Sequence, residues 1–272
     1  MTRDVGAVVR RAALGDLDQG VLRRLRDLVV DRGVVAVADF GTDEGDLLAV
    51  ADAFGSVVHH PLHELTGRLA PCSVIEDSAE HPPAGFPWHT DLSWMATPPR
   101  FGFLQALQIP PVGGDTLWAD LRVLHDRLAP DVREACAGGM LVHAPADDLL
   151  TTVARHHGAA VAADVAARHG PVHRPLLRIV DGRRLVALCP MYASGAVAGV
   201  LRGDGTSRRL LDELHHQLDD AANGVRWRWS VGDLIVWDEA TTNHRALTDH
   251  AGSLRRMRRT VTGDRRADVR PS

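Results

Sequence analysis

Trp88-His89-Thr90-Asp91-Leu92-Ser93-Trp94 is the stretch from which the fold of this chain is read. Its centre is His-x-Asp, an imidazole and a carboxylate two positions apart. On an extended strand, residues i and i+2 share a face, so His89 and Asp91 can close on one cation. Two neutral imidazoles and one carboxylate hold Fe(II) on a single face and leave the opposite positions open. The second imidazole has a candidate far downstream, in Trp237-Asp238-Glu239-Ala240-Thr241-Thr242-Asn243-His244-Arg245-Ala246. His250 competes for that role but lacks the Trp-Asp and Asn-His surroundings, so His244 is preferred. Taken alone, His-x-Asp is weak, because most surface His and Asp are merely solvated.

Composition bounds the rest. A length of 272 residues suits one large domain over 1–272 with a sizeable core, ending in a polar tail from about Asp264 that is expected to fray. Lys+Arg 31 against Asp+Glu 35 gives a net charge of -4, which does not indicate a nucleic-acid partner. Every cation is an arginine, as a GC-rich coding sequence would produce. Cys72, Cys136 and Cys189 are isolated and form no metal-spaced pair, which suits a reducing cytosol. With no apolar leader and no stretch approaching a membrane span, the expectation is a cytoplasmic protein with no membrane partner.

Along the chain, Leu17 to Val30 carries one apolar helical face with arginines opposite. Val34 to Ala38 reads as a buried strand, and a second helix is expected from Thr42 to Gly55. Val57 to Pro87 is loop-like, with dense histidines at His59-His60-Pro61-Leu62-His63 and a Pro- and Gly-rich segment at 80–87. Phe101 to Leu107 reads as a buried strand, and Val112-Gly113-Gly114-Asp115 as a turn into Thr116-Leu117-Trp118. Helical segments are expected over Leu121–Leu128, Pro130–Cys136, Leu149–His157, Val161–Arg168 and Thr206–Leu218. A hairpin with its turn at Asp181-Gly182 interrupts them. Two more strands are expected between Arg226 and Trp237, around Gly232-Asp233. Periodicity gives an α+β fold with a substantial sheet.

Trp88-His89-Thr90-Asp91, then Thr97-Pro98-Pro99, then Gly113-Gly114-Asp115-Thr116-Leu117-Trp118, then Trp237-Asp238 and His244 occur in one order. Together, from about Phe54 to Asp264, they resemble the taurine dioxygenase family of Fe(II)- and 2-oxoglutarate-dependent oxygenases. The resemblance implies a double-stranded β-helix (jelly-roll) core with flanking and inserted helices, and a metal shell of His89, Asp91 and His244. It also implies a co-substrate, 2-oxoglutarate, whose buried distal carboxylate needs a charge partner. The family supplies a threonine and an arginine, here Thr116 and Arg255. With O2, 2-oxoglutarate becomes succinate and CO2 while the substrate loses a hydrogen and usually gains a hydroxyl. A carboxylate at Asp91 argues for hydroxylation over halogenation, since halogenating relatives carry a small residue there.

A second inward arginine is expected at Arg259, holding the far side of the co-substrate or an anionic substrate group. On a strand over Leu254–Val261, Arg255, Met257 and Arg259 share one face, and Arg256 and Arg258 the other. A shortened segment before Gly263-Asp264 leaves Arg258 as the alternative. For the substrate, the resemblance points to His60 and to the position of Gly85, with Tyr192 as a further candidate. Taurine itself is disfavoured, because taurine-using relatives carry asparagine at the position of Gly85 and His-Pro-x-Tyr where this chain has His60-Pro61-Leu62-His63. The partner is expected to be a small molecule, anionic or an amino acid or natural-product intermediate; a homo-oligomer is an open expectation. Two alternatives stand beside this reading: a zinc-dependent hydrolase on the same barrel, and a non-catalytic jelly-roll binding protein. Thr116 and Arg255 discriminate against the hydrolase, which needs no buried carboxylate pocket.

Overall fold

The five residues Val34 to Ala38 show how the layers arise. Val35 and Val37 join a cluster with Leu22, Leu25 and Val29 of the preceding helix, whereas Val34 and Ala36 join Trp118, Trp229 and Trp237 on the opposite face. One strand, alternating with period two, thus closes two cores at once. A computed structural model describes residues 5–67, 69–83, 85–193, 206–250 and 252–264. The tail expected to fray lies, beyond Asp264, outside the described residues.

The strands are β1 (Ala7–Arg10), β2 (Val34–Ala38), β3 (Ser73–Asp77), β4 (Phe101–Gln108), β5 (Thr116–Asp120), β6 (Met140–His143), β7 (Val172–Pro175), β8 (Leu177–Val180), β9 (Arg183–Val186), β10 (Gly224–Trp227), β11 (Leu234–Asp238), β12 (Thr242–Ala246) and β13 (Arg255–Thr262). The helices are α1 (Gln19–Arg32), α2 (Glu44–Phe54), α3 (Pro61–Thr66), α4 (Leu121–Arg127), α5 (Pro130–Ala135), α6 (Asp147–His157), α7 (Ala159–Arg168) and α8 (Thr206–Leu218). A six-stranded sheet in the order β1-β2-β11-β4-β13-β3 faces a three-stranded sheet in the order β10-β5-β12. Tryptophans 118, 229 and 237 and Met257 fill the space between them. This is the jelly-roll core, with α1 and α2 covering the outer face of the large sheet and α4 and α8 packing in a third cluster with the β8–β9 hairpin. Among the described residues no helix is long and apolar enough to cross a membrane.

Local chemistry sets the boundaries. Asp18 caps α1 by accepting from the N–H groups of Gly20 and Val21, and Asp43 caps α2, which therefore begins two residues later than Thr42. Asp181 and Gly182, at φ 47° and 77°, make the expected tight turn of the β8–β9 hairpin.

Three segments depart from expectation. The loop-like stretch 57–87 contains α3, with Pro61 in its first turn and His60 as its cap, and the edge strand β3. A β6–β7 ribbon stands in the helical insertion. The strands flanking Gly232-Asp233 do not pair with each other: β10 joins β5 and β11 joins β2 and β4, so the chain changes sheet there. Asp233 stabilises the crossing by accepting from Trp227 Nε1 and from the Ser230 N–H.

Candidate metal centre and its cavity

The two histidines meet across strands. His89 donates its N–H to the His244 carbonyl at 3.1 Å and accepts from the His244 N–H at 2.8 Å, an antiparallel pair that extends β12. Their rings stand 4.2 Å apart, centroid to centroid. His89 and Asp91 do not share a strand, contrary to the sequence reading. The chain leaves the bridge at Thr90 and turns at once, with Leu92 at φ 51°. It is the turn that brings the Asp91 carboxylate back beneath the two rings.

Asp91 Oδ1 lies 3.7 Å from His89 Nε2 and 3.9 Å from His244 Nε2. One ligand atom from each of His89, Asp91 and His244 falls within 4.8 Å of the others, and among the described residues this is the only such group able to hold a metal. The donor set fits Fe(II). His89 Nδ1 is 2.8 Å from the Pro87 carbonyl, which can only accept, so Nδ1 carries the hydrogen and Nε2 presents its lone pair. Burial first, and His89 second, push His244 down to about 3. It is therefore neutral, as a ligand must be. Burial alone would raise the Asp91 carboxyl, but the Arg259 guanidinium, then His244 and His89, outweigh it and hold it well below the usual carboxylate range.

Glu239 was not singled out by the sequence. It is 1% exposed, and its Oε2 accepts the Asp91 N–H at 3.0 Å. Burial and the adjacent Asp91 raise its own carboxyl well above the ordinary value. Asn243 donates to Thr90 Oγ1 at 2.9 Å and to the Leu188 carbonyl at 3.1 Å, tying the metal turn to β12. On the other side Asp219 accepts from both Trp88 Nε1 and Arg245, the residues next to the two histidines. Trp237 packs its ring 5.0 Å from that of His244 and passes over Gly102, where an added Cβ would sit 2.2 Å from the indole.

Thr116 and Arg255 come together deeper in the barrel. Thr116 Oγ1 accepts from Trp229 Nε1 at 3.0 Å and lies 3.5 Å from Arg255 Nη2. Arg255 also donates from Nε to the Gly114 carbonyl at 3.1 Å. The Gly-Gly motif allows this: an added Cβ at Gly113, where φ is 79°, would lie 2.6 Å from the Asp249 carbonyl oxygen. Asp249 meanwhile accepts the Gly114 N–H at 2.8 Å. His250 stands apart from the metal trio, 3.4 Å from Asp77 Oδ2, and Asp77 also approaches Arg255 at 3.5 Å.

Along β13, Arg255, Met257 and Arg259 face inward. Arg258 faces outward, bonded to Gln105 Oε1 at 2.7 Å and to the Thr42 carbonyl at 2.8 Å. Arg259 Nη2 donates to Asp91 Oδ2, which leaves Oδ1 toward the histidines. His60 accepts the Leu62 N–H at Nδ1, so its hydrogen is on Nε2. Burial and then Arg259 push it down to about 4. Tyr192 sets its ring edge-on to His89 at 6.2 Å, and burial pushes its phenol upward. Gly85 is exposed and does not line the cavity; Phe86 does. The metal trio, Thr116, Arg255, Arg259, His60 and Tyr192 all open onto one cavity of about 590 Å³. Ile75, Pro82, Pro83, Phe86, Leu149 and Met191 supply its apolar walls. Of these, Leu149 opens the helical segment expected over Leu149–His157, but nothing in its sequence marked it as a wall.

These features define a non-haem iron oxygenase. The chain belongs to the taurine catabolism dioxygenase TauD, TfdA family, whose pattern matches residues 1–261. It is 26% identical over 268 residues to an alpha-ketoglutarate-dependent 2,4-dichlorophenoxyacetate dioxygenase of Cupriavidus pinatubonensis, covering 93% of this chain and 91% of that one. To an alpha-ketoglutarate-dependent sulfate ester dioxygenase of Pseudomonas putida it is 25% identical, covering 96% and 87%. The crystal structure of a taurine dioxygenase from Burkholderia xenovorans superposes with a TM-score of 0.73 at 23% identity, over 97% of this chain and 88% of that one, and shares its fold. The protein is thus an Fe(II)- and 2-oxoglutarate-dependent dioxygenase acting on a small molecule. The hydrolytic and non-catalytic alternatives are not favoured.

Proposed function

We propose that this dioxygenase oxidises a small organic anion, a carboxylate, sulfonate or sulfate ester on an apolar body, and that its residues divide the work as follows. His89, Asp91 and His244 hold the metal, and Arg255 with Thr116 holds the distal carboxylate of 2-oxoglutarate. Arg259 and the Nε2–H of His60 meet the anionic group of the substrate. Tyr192, a neutral phenol beside His89, borders the reacting carbon, and Phe86 and Met191 exclude water from it. When bound, Fe(II) supplies the oxidation that splits 2-oxoglutarate and abstracts a substrate hydrogen.

One observation carries this reading: a single cavity joins the metal trio, two inward arginines and an apolar wall. The relatives named for 2,4-dichlorophenoxyacetate and for sulfate esters act on compounds of this kind. A panel of aryloxyacetates, alkyl sulfates, alkyl sulfonates and amino acids, scored by substrate-dependent succinate release, tests it. Turnover restricted to neutral or cationic compounds would overturn the substrate class while leaving the reaction class intact.

A further inference from the structure

Beside the metal turn, and sharing no lining residue with the substrate cavity, lies a much smaller cavity of about 50 Å³. Its charged and strongly polar walls are Arg174, Arg178, His143, Ser93, Thr90 and Glu239. A water needs roughly 10–15 Å³ of such space, so the cavity takes an ion of a few non-hydrogen atoms and nothing larger. The catalytic reading gives it no role.

Neither guanidinium on the wall is hydrogen-bonded to a carboxylate of a described residue. Among the described residues Arg174 donates only to backbone carbonyls, those of Ser93 at 2.8 Å and Met95 at 2.5 Å. The Arg178 guanidinium makes no hydrogen bond or ion pair with a described residue. Arg100, the third cation nearby, is already paired with Asp181 and Asp238 at 2.5 and 2.7 Å. Glu239 is the one carboxylate among the described residues of the wall, and Asp238, held by Arg100, also acts on Arg178 from outside it. Two buried polar atoms are also left over: His143 Nε2 and Glu239 Oε1 have no hydrogen-bond partner among the described residues. His143 is 3% exposed, with Nδ1 engaged by Ser93 Oγ at 3.0 Å. Buried polar atoms left without a partner are costly to leave as they stand.

We propose that this cavity is a binding site for a small monovalent inorganic anion of about chloride size, held by Arg174 and Arg178. Guanidinium N–H groups are suited to an anion in a partly buried place. Ser93 and Thr90 line the cavity as well, with the Thr90 hydroxyl donated to the Thr242 carbonyl at 3.2 Å and the Ser93 hydroxyl engaged with His143 and Cys189. Burial pushes both arginines downward, reinforced by Arg178 in the case of Arg174 and by Arg100 in the case of Arg178, with Asp238 opposing at Arg178. Arg178 also borders an open surface groove beside His125 and Arg133, which gives the ion a way in.

Replacing gluconate by chloride at constant ionic strength, with 2-oxoglutarate saturating, should raise the Tm of the intact protein saturably. The rise should be roughly 3 °C at a tenfold excess over Kd. Bromide should act likewise, and the rise should vanish in Arg178→Met. A flat response, or an equal rise in Arg178→Met, overturns the proposal. Should Arg178→Met fail to fold, crystals of the wild-type protein soaked in bromide decide the matter. An anomalous peak between Arg174 and Arg178 supports the site, and density for water alone removes it.

Discussion

Asp91 answers three demands with one side chain. Its Oδ2 faces Arg259, its Oδ1 faces both histidine Nε2 atoms, and its own N–H is taken by Glu239. Removing either imidazole takes away one of three ligands while the packing of the barrel lies elsewhere. His89→Ala and His244→Ala are therefore expected to lose metal-dependent succinate production and to keep the wild-type circular dichroism spectrum. Near-normal turnover in either would exclude that residue from the shell. Asp91→Gly is expected to lose hydroxylation as well. Glu239 is a positioning residue, and its variants separate shape from charge. Glu239→Gln keeps an acceptor oxygen and should bind Mn(II) nearly as well as wild type. Glu239→Leu strands a buried N–H, at about 1–3 kcal/mol of stability, and should weaken Mn(II) binding roughly 10-fold. Equal affinities in the two variants would deny Glu239 any part in orienting Asp91.

At the scale of the element, β13 places two arginines on one face for two different tasks. Arg255 reaches Thr116, whereas Arg259 reaches the metal ligand Asp91. Arg255→Leu is expected to raise the KM for 2-oxoglutarate with Mn(II) affinity unchanged. Arg259→Leu should weaken both metal and prime-substrate binding, since it removes the group that turns Asp91, and Arg258→Leu should leave all three near wild type. A large defect in Arg258→Leu with a silent Arg259→Leu would mean that the strand presents its other face. This alternation could be read in the sequence because a strand's period needs no tertiary information. The metal trio could be read because its residue types are rare in that order. The strand expected at His89–Asp91 could not be, since the partner that makes His89 extended is His244, far along the chain, and Leu92 carries no mark of its positive φ. Glu239 sat unnoticed inside the motif that pointed to His244. The turn at Gly232-Asp233 announced a reversal but not the change of sheet, which depends on Asp233 accepting from Trp227 and Ser230.

The molecule as a whole is built around neutral buried histidines, and this fixes how it responds to acid. Burial first, then the cations Arg174 and Arg178, push His143 down to about 4. Burial first, then Arg259 and His63, push His60 down to about 4, with Asp91 opposing. In the unfolded chain both return to the ordinary value of 6.5. As pH falls, the unfolded state therefore takes up these protons before the folded state does, and unfolding is favoured. The stability they contribute is complete above about pH 6.5 and is lost progressively down to about pH 4. Each unit of depression is worth about 1.4 kcal/mol, so the pair withdraws on the order of 5 kcal/mol across that window. A carboxylate held low by an ion pair, such as Asp91, acts in the same direction but at more acid pH. Thermal unfolding of the wild-type protein between pH 7.5 and 4 should thus show Tm falling from about pH 6.5 downward, not from the carboxylate range. His143→Gln, which cannot take up the proton, should start from a lower Tm at pH 7.5 and lose less on acidification. If the two proteins lose the same number of degrees over this interval, His143 is not among the groups that set the acid limit.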